Sequence, residues 1–324
     1  MSTDGAALGA RLRARDLSAA PAALNLLEST APADREQAAA LLREVSPAAL
    51  GGEAPAHVIG VTGPPGAGKS TLLSALLHAW RDGPRDQDGR ARTVAMLVVD
   101  PSSRQSGGSL LGDRARIDFD PADDGVLIRS TAAGQRLGGL AWATRSATEA
   151  LAAAFDVVVI ETVGVGQAET DVADVADTVA VVVQPGGGDA LQFLKSGIME
   201  IPDVLVVTKA DLGQIATRTA RDLSAALRSL GAGRARVLSV CATPPPKGVD
   251  ELVAALEEHR AGLDLAQRRL AARRAAALTD FAVEHGERGL RALGGRSAAQ
   301  ALLAEQDPGM DVPALVAELE RGLG

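Results

Sequence analysis

Between residues 57 and about 262 the chain alternates short, almost purely apolar runs with longer stretches of helical periodicity. The apolar runs predict strands over 57–62, 93–99, 125–129, 155–161, 178–184, 203–208 and 235–240. Runs that are apolar on both faces, such as Phe155 to Ile160, belong in a parallel sheet covered by helices on both sides. The intervening stretches predict helices over 69–81, 138–153, 190–198, 213–230 and 248–262. Residues 81–91 read as a polar loop. Residues 1–55 read as helical; the run from Pro32 to Val45 has its acids early, Arg43 late and Pro47 just beyond. Beyond residue 263 the strand pattern stops, and Leu263–Leu293 predicts a long helix followed by two shorter ones. The expected organisation is an N-terminal helical extension (1–55), an α/β domain (56–262) and a C-terminal helical region (263–324). Apolar stripes in the last region need a surface to pack on, either the core or a second copy.

Composition narrows the classes. Of 324 residues, 46% are hydrophobic but only 2% aromatic, with no Tyr, so the core must be built from Ala, Leu and Val. A net charge of −8 argues against nucleic acid as the main partner. The single cysteine, Cys241, excludes an internal disulfide and a cysteine-based zinc site, and the histidines at 57, 78, 259 and 285 show no ligand spacing. The amino terminus has no basic flank leading into an apolar run, and no run approaches the roughly 20 residues that span a membrane. A soluble, cytoplasmic protein without membrane contact is expected.

The strongest chemistry lies in Gly63-Pro64-Pro65-Gly66-Ala67-Gly68-Lys69-Ser70-Thr71, which fits the phosphate-binding pattern G-x-x-x-x-G-K-[ST]. It follows a predicted strand and opens a predicted helix, the context that pattern requires. Glycines let backbone N–H groups converge on a polyphosphate, and the helix start adds a favourable dipole. Lys69 is expected to reach the β- and γ-phosphates, and Ser70 to hold Mg²⁺. Only four lysines stand against 29 arginines, so a lysine kept here suits a compact ammonium. The rival is a Gly/Pro-rich surface turn.

Four further sites are candidates. Thr208-Lys209-Ala210-Asp211 resembles the N/T-K-x-D loop whose carboxylate reads guanine, with Thr208 where an Asn amide commonly braces the loop; a simple helix start is the rival. Cys241, Ala242 and Thr243 are expected to form a second base-contacting loop through backbone N–H, unless Cys241 is only a buried core residue. Asp100 and Glu161 end predicted strands, where ligands bind in open α/β sheets, and each can hold Mg²⁺ directly or through water. Gly164, in Glu161-Thr162-Val163-Gly164, matches the Gly of D-x-x-G that senses a γ-phosphate, and Asp113 sits in a Gly-rich loop of the kind that nucleotides order.

These runs together resemble the methylmalonyl-CoA mutase-associated GTPases (MeaB/ArgK type). The likeness rests on residues 60–71, Val99 to Ser103, Gly107 to Arg114, Glu161 to Gln167 and Gly186 to Asp189, and spans roughly residues 20 to 262. The resemblance implies a P-loop G domain of the SIMIBI class and a homodimer built with C-terminal helices. It also implies a chaperone role toward an adenosylcobalamin-dependent acyl-CoA mutase, with GTP/GDP and Mg²⁺ as cofactors. Three switch loops follow from it, Ser102–Asp113, Val163–Asp171 and Gln184–Lys195. Departures from the family pattern are Arg104-Gln105-Ser106 in the first loop and Pro185 in the third. Lys69, Asp100, Asp113 and Glu161 are the expected catalytic set, with Ser70 joining the three acids at Mg²⁺. The rival functions are an ATP-dependent kinase linked to amino-acid transport, a metal-insertion GTPase and a scaffold that binds nucleotide without hydrolysis.

Overall fold

The computed structural model describes residues 4–85, 89–100, 117–132, 142–162, 172–186, 202–229 and 235–323. They form two compact units. The first gathers Met1–Ala56, Arg145–Ala154 and Asp264–Gly324; the second holds His57–Thr144 and Phe155–Leu263.

The second unit is built on seven parallel strands: β1 (His57–Thr62), β2 (Val94–Asp100), β3 (Val126–Ala132), β4 (Val157–Thr162), β5 (Thr178–Val183), β6 (Val204–Val207) and β7 (Arg236–Ser239). Their spatial order is β3-β2-β4-β1-β5-β6-β7, so β1 and β4 lie at the centre. Central strands β1, β4, β5 and β6 are buried along their whole length, which is why they read as unbroken apolar runs, whereas edge strand β7 is half-exposed. β4 starts two residues later than the pattern predicts, because Asp156 leaves the ladder: its carboxylate accepts from Thr93 N at 2.8 Å and Thr93 Oγ1 at 2.9 Å. β3 runs on to Ala132, held by register with β2 as far as Asp100.

Helix α5 (Lys69–Asp82) lays Leu72, Leu73, Leu76, Leu77 and Trp80 against Ile59, Val61, Val98 and Val159 of the sheet, and the C-terminal helix of this unit, Val249–Ala261, adds Leu252 and Leu256. Each such leucine contributes about 1.5–3 kcal/mol by burial, and mostly aliphatic packing supplies the core of a chain with few aromatics. At the amino ends of the strands, two of the scattered histidines meet. His57 Nε2 and His259 Nδ1 both contact Thr178 Oγ1, at 2.8 and 2.9 Å, and His259 Nε2 lies 3.1 Å from Asp203. Sequence spacing concealed this cluster because its members come from the starts of β1 and β5, the residue before β6 and the helix Val249–Ala261.

In the first unit, the N-terminal helix Gly5–Arg13 packs on Pro32–Glu44 at a separation only glycine permits. A Cβ at Gly5 would lie 1.8 Å from the Gln37 carbonyl oxygen. The predicted helix from residue 263 is found as Leu265–Ala292, interrupted at Gly286 (φ 62°, ψ −168°). Its Phe281 and Leu290 share a core with Leu303, Leu315 and Leu319 of the two shorter helices that follow. Charged groups stitch the unit together. Arg273 holds Glu53 at 2.8 and 2.9 Å and the Pro308 carbonyl at 3.0 Å, and Arg145 holds Asp280 at 2.6 Å. Among the described residues no helix is long and apolar enough to cross a membrane.

Candidate nucleotide site

β1 ends at Thr62 and α5 begins at Lys69, so residues 63–68 make the whole turn. Three of them are glycines with positive φ: Gly63 (146°), Gly66 (76°) and Gly68 (86°). Gly63 is also forced by proximity, since a Cβ there would sit 2.1 Å from the Val182 carbonyl oxygen. Gly68 occupies the N-cap of α5 in the left-handed conformation and offers no side chain to its orphan N–H groups. Those groups are left for an anion. Lys69 is buried; its ammonium donates to Gly63 O at 2.8 Å and Pro64 O at 3.4 Å, lying back over the loop that it is expected to share with phosphate. Ser70 is half-buried in the first turn, and Thr71 is exposed.

The carboxyl ends of the central strands meet this turn. Glu161, buried near the end of β4, is in register with Val61 of β1 and Val98 of β2. Asp100 closes β2. The hydroxyls of Thr62 and Thr162, at the ends of neighbouring strands β1 and β4, are buried with no hydrogen-bond partner among the described residues. Asp113 and Gly164 lie outside the described residues, as do the whole of the first two switch loops with Gln167, residues 187–195 of the third with Lys195, and the predicted helix 190–198.

On the other side of β1, β6 delivers Thr208, Lys209 and Asp211. Thr208 Oγ1 donates to Ala67 O at 2.6 Å and lies 3.1 Å from Val183 O. The amide of an Asn is replaced by a hydroxyl that makes the bracing contact itself, so the deficit expected from the sequence is made good. Lys209 holds the left-handed conformation (φ 52°, ψ 43°), unusual for a residue with a side chain, and its ammonium donates to Gly66 O at 3.2 Å. Asp211 follows, exposed, in a single 3₁₀ turn, Ala210–Leu212.

The second base loop is tied to the first: Ala210 N donates to Val240 O at 3.2 Å. Cys241 is buried, and its N–H is engaged with Lys247 O at 2.9 Å in a small antiparallel bridge. That N–H is therefore spent, which corrects the expectation that Cys241 meets a base through it. Ala242 and Thr71 line one cavity of about 580 Å³ together with Ser74 and Gly248, so the second loop and the start of α5 share a cleft.

Comparison with known proteins agrees with this geometry. The family profile described as methylmalonyl Co-A mutase-associated GTPase MeaB matches residues 20–288. A Pyrococcus abyssi protein described as a GTPase is 41% identical over 262 residues, 78% of this chain and 75% of its own length. The mitochondrial methylmalonic aciduria type A homolog of Caenorhabditis elegans is 39% identical over 199 residues, 58% of this chain and 46% of its own. A solved structure described as LAO/AO transport system kinase superposes with a TM-score of 0.64 at 26% identity, covering 99% of this chain and 98% of that one. The chain is a P-loop GTPase and belongs to the methylmalonyl-CoA mutase-associated GTPase family.

Proposed function

We propose that this GTPase acts as a chaperone of an adenosylcobalamin-dependent acyl-CoA mutase, coupling GTP binding and hydrolysis to loading, protection or reactivation of the mutase cofactor. The observation that carries the guanine part is the bracing of the Thr208–Asp211 loop onto the phosphate loop through Ala67 and Gly66. In this reading the exposed Asp211 carboxylate accepts from guanine N1–H and N2–H, and the Lys209 stem lies along the base. The mutase link is supported by the description of the matching family.

The residues read as Mg²⁺ ligands are oxygen donors: Ser70 in the first turn after the phosphate loop, Glu161 near the end of β4, and Asp100, the last residue of β2. A hard oxygen set beside orphaned threonine hydroxyls fits Mg²⁺. Bound there, Mg²⁺ supplies charge neutralisation to the β- and γ-phosphates. Lys69 exchanges its loop carbonyls for the phosphates and stabilises charge on the transferring group, while backbone N–H groups of the turn hold the β-phosphate. Glu161 and Asp113 orient the attacking water through its hydrogens, and Gly164 N–H meets the γ-phosphate. Ala242 and Thr243 present N–H groups to the base. A homodimer through the C-terminal helices and a cytoplasmic location belong to the same reading.

Co-purification in the presence of a non-hydrolysable GTP analogue tests it. An acyl-CoA mutase should be retained and should accelerate GTP hydrolysis by the purified chain. Retention of no mutase, with hydrolysis unaltered by any of the methylmalonyl-, isobutyryl-, ethylmalonyl- or hydroxyisobutyryl-CoA mutases, would overturn the chaperone role.

A further inference from the structure

The ammonium of Lys209 has a second acceptor. Besides Gly66 O, it donates to Gln184 Oε1 at 2.7 Å, the shorter of the two contacts. Gln184 is the first residue after β5, so this bond joins the base loop to the segment leaving the neighbouring strand. Two residues on, Gly186 takes the left-handed conformation (φ 78°) beside the start of the helix Gln214–Ser229, where a Cβ would meet Ile215 Cγ2 at an ordinary contact distance of 3.5 Å. Between these two points stands Pro185, whose ring fixes φ. The segment 184–186 therefore meets the base loop at Gln184 and the helix that follows that loop at Gly186.

A lysine stem carries about 2 kcal/mol of rotamer entropy and three rotatable donors. One carbonyl at 3.2 Å leaves that stem several rotamers; engaging a second acceptor at 2.7 Å at the same time restricts it further. We propose that Gln184 is a positioning residue for nucleotide binding: it pins the Lys209 ammonium against the phosphate loop, so that the lysine stem stands as a ready-made wall of the base slot. This rests on the guanine reading above. By linkage, whatever displaces Gln184 from Lys209 loosens the base, and base release loosens 184–186 by an equal coupling. The segment after β5 is thereby wired to the base end of the nucleotide, independently of any sensing of the γ-phosphate.

Stopped-flow dissociation of mant-GDP from the full chain tests this. Gln184→Leu keeps the volume and removes the acceptor, and should speed dissociation about threefold to tenfold, the worth of one hydrogen bond to a charged donor near the surface. GTP and GDP should be weakened equally, since both carry the base. Gln184→Glu keeps an acceptor and should dissociate at the wild-type rate or slower. In a Lys209→Met background, Gln184→Leu should add nothing. Wild-type dissociation from Gln184→Leu, failure of Gln184→Glu to preserve the slow rate, or additivity with Lys209→Met would each overturn the proposal. If Asp211→Asn leaves base preference unaltered while the Gln184–Lys209 coupling persists, the guanine reading fails and the positioning role stands. If Asp211 governs preference and the coupling is absent, only the role of Gln184 falls.

Discussion

The Thr208 hydroxyl and the Ala67 carbonyl oxygen, 141 positions apart in sequence, lie 2.6 Å from each other. Both residues are buried, so this bond is shielded from water and joins the phosphate loop to the base loop directly. Thr208→Val is nearly isosteric and leaves the Ala67 carbonyl buried without that donor. It should cost about 1–3 kcal/mol, read as a fall in Tm of about 2–10 °C. Thr208→Ser keeps the hydroxyl and should lose little. A loss in Thr208→Ser with none in Thr208→Val would assign the effect to the methyl group.

Base choice rests on Asp211. Asp211→Asn turns an acceptor into a donor facing guanine and should weaken GTP by about 1–3 kcal/mol while leaving ATP unharmed. Equilibrium titration with both nucleotides checks it. A parallel loss for both nucleotides, or none, would remove Asp211 from the base site.

Lys69 is buried and engaged with loop carbonyls, so its removal needs a substitution that keeps the stem. Lys69→Met should lower single-turnover GTP hydrolysis by about 10²–10³-fold, the scale for deleting one preorganised charge-stabilising group. Circular dichroism should remain that of the folded protein. Unfolding with no separate loss of hydrolysis would make Lys69 a packing residue.

Burial raises the Glu149 carboxyl from its ordinary value of 4.5 to about 7, a rise only partly opposed by Arg145 and Arg273 and reinforced by Asp311 and Asp280. A raised carboxyl favours the folded state when protonated. Its stabilisation is complete below about pH 4.5 and is lost as pH climbs through about 7. The residue is only half-buried, so the loss is at most about 3 kcal/mol. Asp311, also raised by burial, gives a slope of the same sign. Glu149→Gln isolates the one group: the stability difference between variant and wild type, from urea unfolding, should grow in the variant's favour from pH 5 to pH 8. A difference constant with pH would show that Glu149 titrates normally.

The strands were legible because a parallel sheet buries both faces, and Val157 to Ile160 can serve no other purpose. The phosphate turn was legible because its glycines answer local demands: positive φ at Gly66 and Gly68, close approach at Gly63. Contacts between distant strand ends were not. Nothing near Thr208 in sequence announces Ala67, nothing near Cys241 announces that Lys247 takes its N–H, and His57 gives no hint of Thr178 and His259. Helix Trp142–Ala154 carries the same point to packing. Its apolar periodicity fixes that it is a helix, but not which core receives it, and from Arg145 onward it sits with the terminal helices.

That assignment has a consequence for how the protein is made. The first unit draws its parts from three stretches: the first 56 residues, ten residues from 145 to 154, and the last 61 residues from 264. On the ribosome the opening helices emerge first, yet Glu53 waits for Arg273 and Arg145 waits for Asp280. This unit cannot close until residues 264 onward have been made, whereas every described strand of the sheet is available once residue 239 has left the exit tunnel. A chain cut after the sheet domain would therefore leave Glu53 and Arg145 without Arg273 and Asp280, the partners they hold in this unit.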